Sequence, residues 1–157
     1  MQAQVVSVDI LIELLKRQFP RFDEGGSWFY DSCYLVWTKD DVVDCWNAWR
    51  KYYEEELLKY LPEAFDCDDF AEQFKCVARR ALLKKYRVYA GGLAPGVAIG
   101  RLYKDEAFLG YHAWNLILLN LYGDNYALVN FEPQTLDTWI GFIGPDKFRY
   151  ELRWVVW

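Results

Sequence analysis

The sequence predicts an α+β domain with N-terminal helices packed on a C-terminal antiparallel sheet. Two observations carry this reading. Apolar residues recur at helical spacing up to about Tyr86, and beyond it the chain breaks into runs rich in branched and aromatic residues, joined by connections of hairpin length. At 157 residues the chain is the size of one compact domain, read here as a single unit over 1–157.

Taken in order, Ser7 is a plausible cap for a helix to about Phe19 that carries Ile10, Leu11, Leu14 and Leu15 on one side and stops at Pro20. The stretch from Arg21 to Asp31 reads as a loop, and Cys33 to Trp37 as an edge strand or extended lead-in. Thr38 and Asp41 mark a second helix start, continued by Val42, Val43, Trp46, Trp49, Tyr53, Leu57 and Leu58 to about Leu61 and ended by Pro62. A third helix from Asp66 places Phe70, Ala71, Phe74, Val77, Ala78, Ala81 and Leu82 on one stripe. Strands are expected at Val88 to Ala90, Val97 to Tyr103, His112 to Leu121, Tyr126 to Glu132 and Phe148 to Trp157. In the last, Phe148, Tyr150, Leu152 and Trp154 alternate with Arg149, Glu151 and Arg153, so one buried and one wet face are expected.

Eight Trp, twelve Tyr and ten Phe argue for a folded core of interlocking rings. A net charge of −5, with both signs scattered, provides no electrostatic footprint for a phosphate backbone, so nucleic acid is not an expected partner. No run reaches the roughly 18 apolar residues of a membrane span, and the N-terminus lacks a signal-peptide pattern, so a cytoplasmic location without membrane contact is expected. The four cysteines form no CxxC pattern, and reduced thiols are the default.

Three segments carry chemistry: "FDCDDFA" with Cys67 at a helix start, "GYHAWN" with His112 at a strand start, and "NFEPQT" with Glu132 at the end of the next strand. Cysteine nucleophilic catalysis needs such a set, since a helix N-terminus and an imidazolium stabilise the thiolate while a carboxylate orients the ring. His112 is the only histidine. A turn at Tyr122 to Asn125 makes the strands of His112 and Glu132 a hairpin. A register pairing His112 with Gln134 puts His112 and Glu132 diagonally adjacent on one face, which requires an odd-length loop with a bulge. Cys67 therefore reads as nucleophile, His112 as general base and Glu132 as the residue orienting it. Cys33 and Cys45 read as structural, and Cys76 points away. The backbone N–H of Cys67 is one expected oxyanion donor, with a second from the Trp37 region.

These motifs resemble the papain-like protease domain at the C-terminal end of the fairy-ring mushroom agglutinin and its stand-alone bacterial and phage relatives. More distantly, "HAWN" followed by a strand ending in an acid is similar to the transglutaminase-like branch of that fold. The resemblance covers roughly Cys33 to Gln134. It implies a papain-like fold, a Cys67–His112–Glu132 triad, a site lined by Gln134 and Trp114, and a protein or peptide substrate for a thiol peptidase that needs no cofactor for its chemistry. Asp66, Asp68 and Asp69 would oppose a thiolate. Either Asp66 caps the helix and the others complement its dipole, or Asp68 and Asp69 hold calcium, on which the resembled protease depends. Other readings are a cell-wall amidase, a deamidase or a transglutaminase-like acyltransferase with the same residues, or a non-catalytic binding module.

Overall fold

The computed structural model describes residues 3–56, 66–86, 92–123 and 125–157. The expected strand at Val88 to Ala90, and the expected end of the second helix at Leu57, Leu58, Leu61 and Pro62, lie outside the described residues. Along the chain run β1 (Val5–Ser7), α1 (Val8–Gln18), β2 (Cys33–Leu35), α2 (Lys39–Glu56), α3 (Cys67–Lys85), β3 (Gly96–Lys104), β4 (Ala107–Tyr122), β5 (Asn125–Glu132), β6 (Asp137–Ile140), a 3-10 turn at Pro145–Lys147, and β7 (Arg149–Val156). The last five strands form an antiparallel sheet ordered β6-β5-β4-β3-β7, so the α+β class is borne out.

Local sequence explains the helix starts. Ser7 caps α1, its hydroxyl accepting the Ile10 N–H at 3.4 Å. Leu11, Leu14 and Leu15 are buried, whereas Ile10 is exposed, because the narrow apolar stripe excludes it. At α2, the Asp41 carboxylate accepts the Thr38 N–H at 2.7 Å and hydroxyl at 2.8 Å, while the Thr38 hydroxyl accepts the Asp41 N–H at 3.2 Å. The buried stripe of α2 is Asp41, Cys45 and Trp49, so Val43 and Trp46, expected inward, face out. The α3 stripe is buried at Phe70, Ala71, Phe74, Val77, Ala78 and Leu82.

The sheet is covered on both faces. Leu11, Leu14, Leu15 and Phe19 pack with Trp114, Leu116, Leu118 and Leu128 in one cluster, and Cys45, Trp49, Phe70 and Phe74 pack with Ile117 and Phe131 in the other. Even and odd residues of β4 therefore face opposite layers, as a pleated strand requires. Between β4 and β5, Asn115 pairs with Phe131 and Asn120 with Tyr126, after which the register shifts before Tyr122 pairs with Asn125. This is the bulged hairpin and the even register expected from the sequence.

Two strand expectations are corrected. Strand β4 begins at Ala107, upstream of His112, and the alternation of β7 breaks. Ile99 pairs with Trp154 but Gly100 with Leu152, so Arg153 is bulged out and Trp154 changes face. Glu151, expected in water, is buried at 7% exposure. Gly100 permits the approach, since a Cβ there would sit 2.3 Å from the Glu151 carbonyl oxygen.

Candidate functional site

A polar convergence joins the start of α3 to the middle of β4 and the end of β5. Cys67 is the first residue of α3 and packs on Ala71, Val97, Ala113 and Ile99, the sheet-facing side expected of it. Glu132 ends β5 at 5% exposure. Its Oε2 lies 2.5 Å from His112 Nε2, and its Oε1 accepts the Gln134 N–H at 3.3 Å. The segment after β5 is anchored by the Leu136 N–H on the Glu132 carbonyl at 2.7 Å and by the Trp49 indole on the Pro133 carbonyl at 2.9 Å. A rigid frame thus holds the carboxylate.

His112 is flanked by Cys67 and Glu132. Burial opposes its protonation, but hydrogen bonding and charge from Cys67 and Glu132 outweigh that cost and push the ring from its ordinary 6.5 up to about 9. Near neutral pH the ring therefore carries its proton and acts as a donor. The structure brings Cys67, His112 and Glu132 together, with Gln134 half-buried beside them.

Trp114, expected to line the site, is fully buried. It stacks on the His112 ring at 6.2 Å and 14°, and its indole N–H donates to Asn130 Oδ1 at 2.8 Å, so it supports the ring from behind. Tyr150 was missed by the sequence reading. It lies 5.9 Å from His112, and burial, followed by the charge of Glu132, pushes its phenol above its usual range. Its place on the inward face of β7 was the one available signal. The Trp37 region is not a second anion-binding donor. The Trp37 backbone N–H donates to Leu118 at 2.8 Å and the indole N–H to Leu93 at 3.2 Å.

The acids around Cys67 divide. Asp69 accepts the Asp66 N–H at 3.2 Å and so belongs to the helix cap. Asp66, Cys67 and Asp68 place one potential ligand atom each within 4.8 Å of one another. Hydrogen bonding to Asp66, then burial, holds the Asp68 carboxyl above its usual range. One thiol and two carboxylates do not fit calcium, which takes about 6–8 oxygens. Among the described residues, no other group of three such side chains gathers, and the expected Asp68–Asp69 pair is not that cluster. Cys45 is buried, which raises its thiol well above the ordinary range, and Cys76 is exposed.

Neither a scan of protein-family models nor a search of curated proteins finds a match. Among solved structures the fold is similar to a "PSL1a-E64 complex", with a TM-score of 0.67 at 22% identity, covering 98% of this chain and 50% of that one. It is also similar to Polyporus squamosus lectin bound to the human-type influenza-binding epitope Neu5Acα2-6Galβ1-4GlcNAc. That match has a TM-score of 0.61 at 21% identity and covers 98% of this chain and 49% of the other. The chain spans about half the length of these structures. At such identities the likeness carries the fold.

These neighbours correct the reading as a papain-like cysteine hydrolase. One is a lectin by name and neither is named as a protease, so the thiol peptidase assignment, its amidase, deamidase and transferase siblings, and the bacterial or phage kinship are withdrawn. A peptide substrate goes with them. No described helix is long and apolar enough to cross a membrane.

Proposed function

We propose that this chain is a non-catalytic binding module for a carbohydrate ligand, received where His112, Glu132, Gln134 and Cys67 meet. The observation that carries the reading is the likeness, over 98% of the chain, to Polyporus squamosus lectin bound to a sialylated trisaccharide. The local chemistry agrees with it. Small-ligand sites need a few polar groups held at fixed positions by a rigid surround. His112 supplies a charged donor pinned by Glu132 and backed by Trp114, and Gln134 adds an amide that both donates and accepts. A sugar hydroxyl or carboxylate accepts from such an imidazolium without any proton transfer.

Isothermal titration with Neu5Acα2-6Galβ1-4GlcNAc tests this. Binding is expected, weakened roughly tenfold or more in His112→Ala and less in Gln134→Ala, since a hydrogen bond to a charged group is worth about 1.5–3 kcal/mol. Absence of binding, or binding indifferent to both substitutions, overturns the site. Cleavage of a peptide library that disappears in Cys67→Ala overturns the non-catalytic reading.

A further inference from the structure

A cavity of about 340 Å³ lies away from this cleft, where the middle of α3 meets the end of β7 and the segments that precede β2 and β3. Backbone pairing builds its walls. The Trp157 N–H donates to the Trp28 carbonyl at 2.9 Å, and the Gly92 N–H to the Cys33 carbonyl at 2.9 Å. The loop carrying Tyr30 and Asp31 is thereby held beside Trp157 and Leu93, and all four residues line the space. Lys75 and Arg79, four positions apart and so on one face of α3, complete the lining. Lys75 lies eight residues beyond Cys67, about 12 Å along the helix axis, so the cavity and the cleft are separate.

Its charged groups are within reach of a solute. Arg79 and Asp31 are exposed and Lys75 is half-buried. Lys75 Nζ donates to the Val156 carbonyl at 3.1 Å, which fixes the ammonium and uses one of its three protons. Among the described residues, no carboxylate is in ion-pair range of Lys75 or Arg79, although the net charge of the chain is −5. The lining therefore carries two positive charges and one negative, a local excess of cation inside an acidic protein. Burial, joined by the charge of Arg79 and opposed by that of Glu72, holds the Lys75 ammonium below its ordinary range, and an anion beside it acts in the other direction.

The rest of the lining is apolar. Trp157 and Leu93 are buried and form the floor, while the exposed ring of Tyr30 stands at the rim. Ligand pockets run from roughly 300 to 1,000 Å³, so this one suits a compact solute. We infer that the cavity binds a small aromatic monocarboxylate: the carboxylate pairs with Arg79 and Lys75, and the ring lies against Trp157, Leu93 and Tyr30. A guanidinium fork matches a carboxylate in a bidentate way, and apolar walls strengthen the attraction by lowering the local dielectric. Asp31 repels a second negative charge, which favours a carboxylate over a dianionic phosphate.

An amide NMR titration with phenylacetate tests the inference, beside benzyl alcohol, which keeps the ring without the charge, acetate, which keeps the charge without the ring, and dianionic phenyl phosphate. Phenylacetate is expected to shift the resonances of Lys75, Arg79, Leu93 and Trp157 saturably. Benzyl alcohol and acetate are expected to bind at least about tenfold more weakly, and phenyl phosphate more weakly than phenylacetate. Arg79→Gln, at an exposed helix position, is expected to weaken phenylacetate by about tenfold. If that variant does not fold, Lys75→Met, which keeps the length of the side chain, takes its place with the same expectation. Absence of saturable shifts, benzyl alcohol binding as well as phenylacetate, tighter binding of phenyl phosphate, shifts centred on His112, or binding unaltered in the folded variant overturns the site. The cleft at His112 stands or falls separately.

Discussion

Asp41 and Glu132 are both buried carboxylates, yet they sit in regions built for different ends. Asp41 is fully enclosed between α2 and α3, where the Thr38 N–H and hydroxyl, the Tyr86 hydroxyl and the Lys85 ammonium fill its acceptors at 2.7–3.0 Å. Burial alone would raise its pKa, but hydrogen bonds from Lys85, Thr38 and Tyr86 outweigh that and hold the carboxyl below the usual range. Every partner belongs to the scaffold. Glu132 is tied to His112, whose side chain is 15% exposed, so its charge is relayed toward solvent. A saturated polar group holds elements together, and one whose partner reaches the surface is positioned to serve a ligand.

The largest effect expected from this contrast is on stability at Asp41. Asp41→Ala strands Lys85 and Tyr86 and is expected to cost about 3–5 kcal/mol in urea unfolding. A loss below about 1 kcal/mol would erase the distinction between the two regions.

His112 sharpens it next, through pH. Its folded value of about 9 lies above its ordinary 6.5, so the stability it contributes is fully present below 6.5 and is lost as pH rises through 9. The contribution amounts to roughly 3 kcal/mol at most. The pH dependence between 6.5 and 9 is expected to flatten in His112→Gln. A wild-type stability that stays level across that window would separate His112 from Glu132.

The smallest effect is expected on the surface. Arg50 and Glu54 pair at 3.0 Å on α2 with both side chains largely in water. Arg50→Ala is expected to move stability by about 0.5 kcal/mol or less.

Much of this geometry was legible before any coordinates. The convergence of His112 and Glu132 follows from strand parity across one hairpin, and the placement of Cys67 from helix periodicity, both of which depend only on local rules. Glu151 keeps the face that alternation assigned to water and was illegible because arginines from elsewhere in the fold, Arg21 and Arg101, join Arg149 and Arg153 around it, whereas the bulge at Arg153 resets only the residues after it. Trp114 was placed at the site by resemblance alone, and the fold puts it fully buried against the His112 ring. The short strands β1 and β6 were missed, being of 3 and 4 residues and held by pairing rather than by pattern. The chemistry was over-read for a different reason: a thiol, an imidazole and a carboxylate in one order define a geometry, whereas function depends on what that geometry receives.

Because the chain holds one histidine, its ring resonances can be followed without ambiguity. A side-chain NMR titration of His112, with and without Neu5Acα2-6Galβ1-4GlcNAc, is expected to show a midpoint near 9 that moves when the ligand binds. A midpoint at 6.5 that ignores the ligand would contradict His112 as a charged donor in a binding cleft.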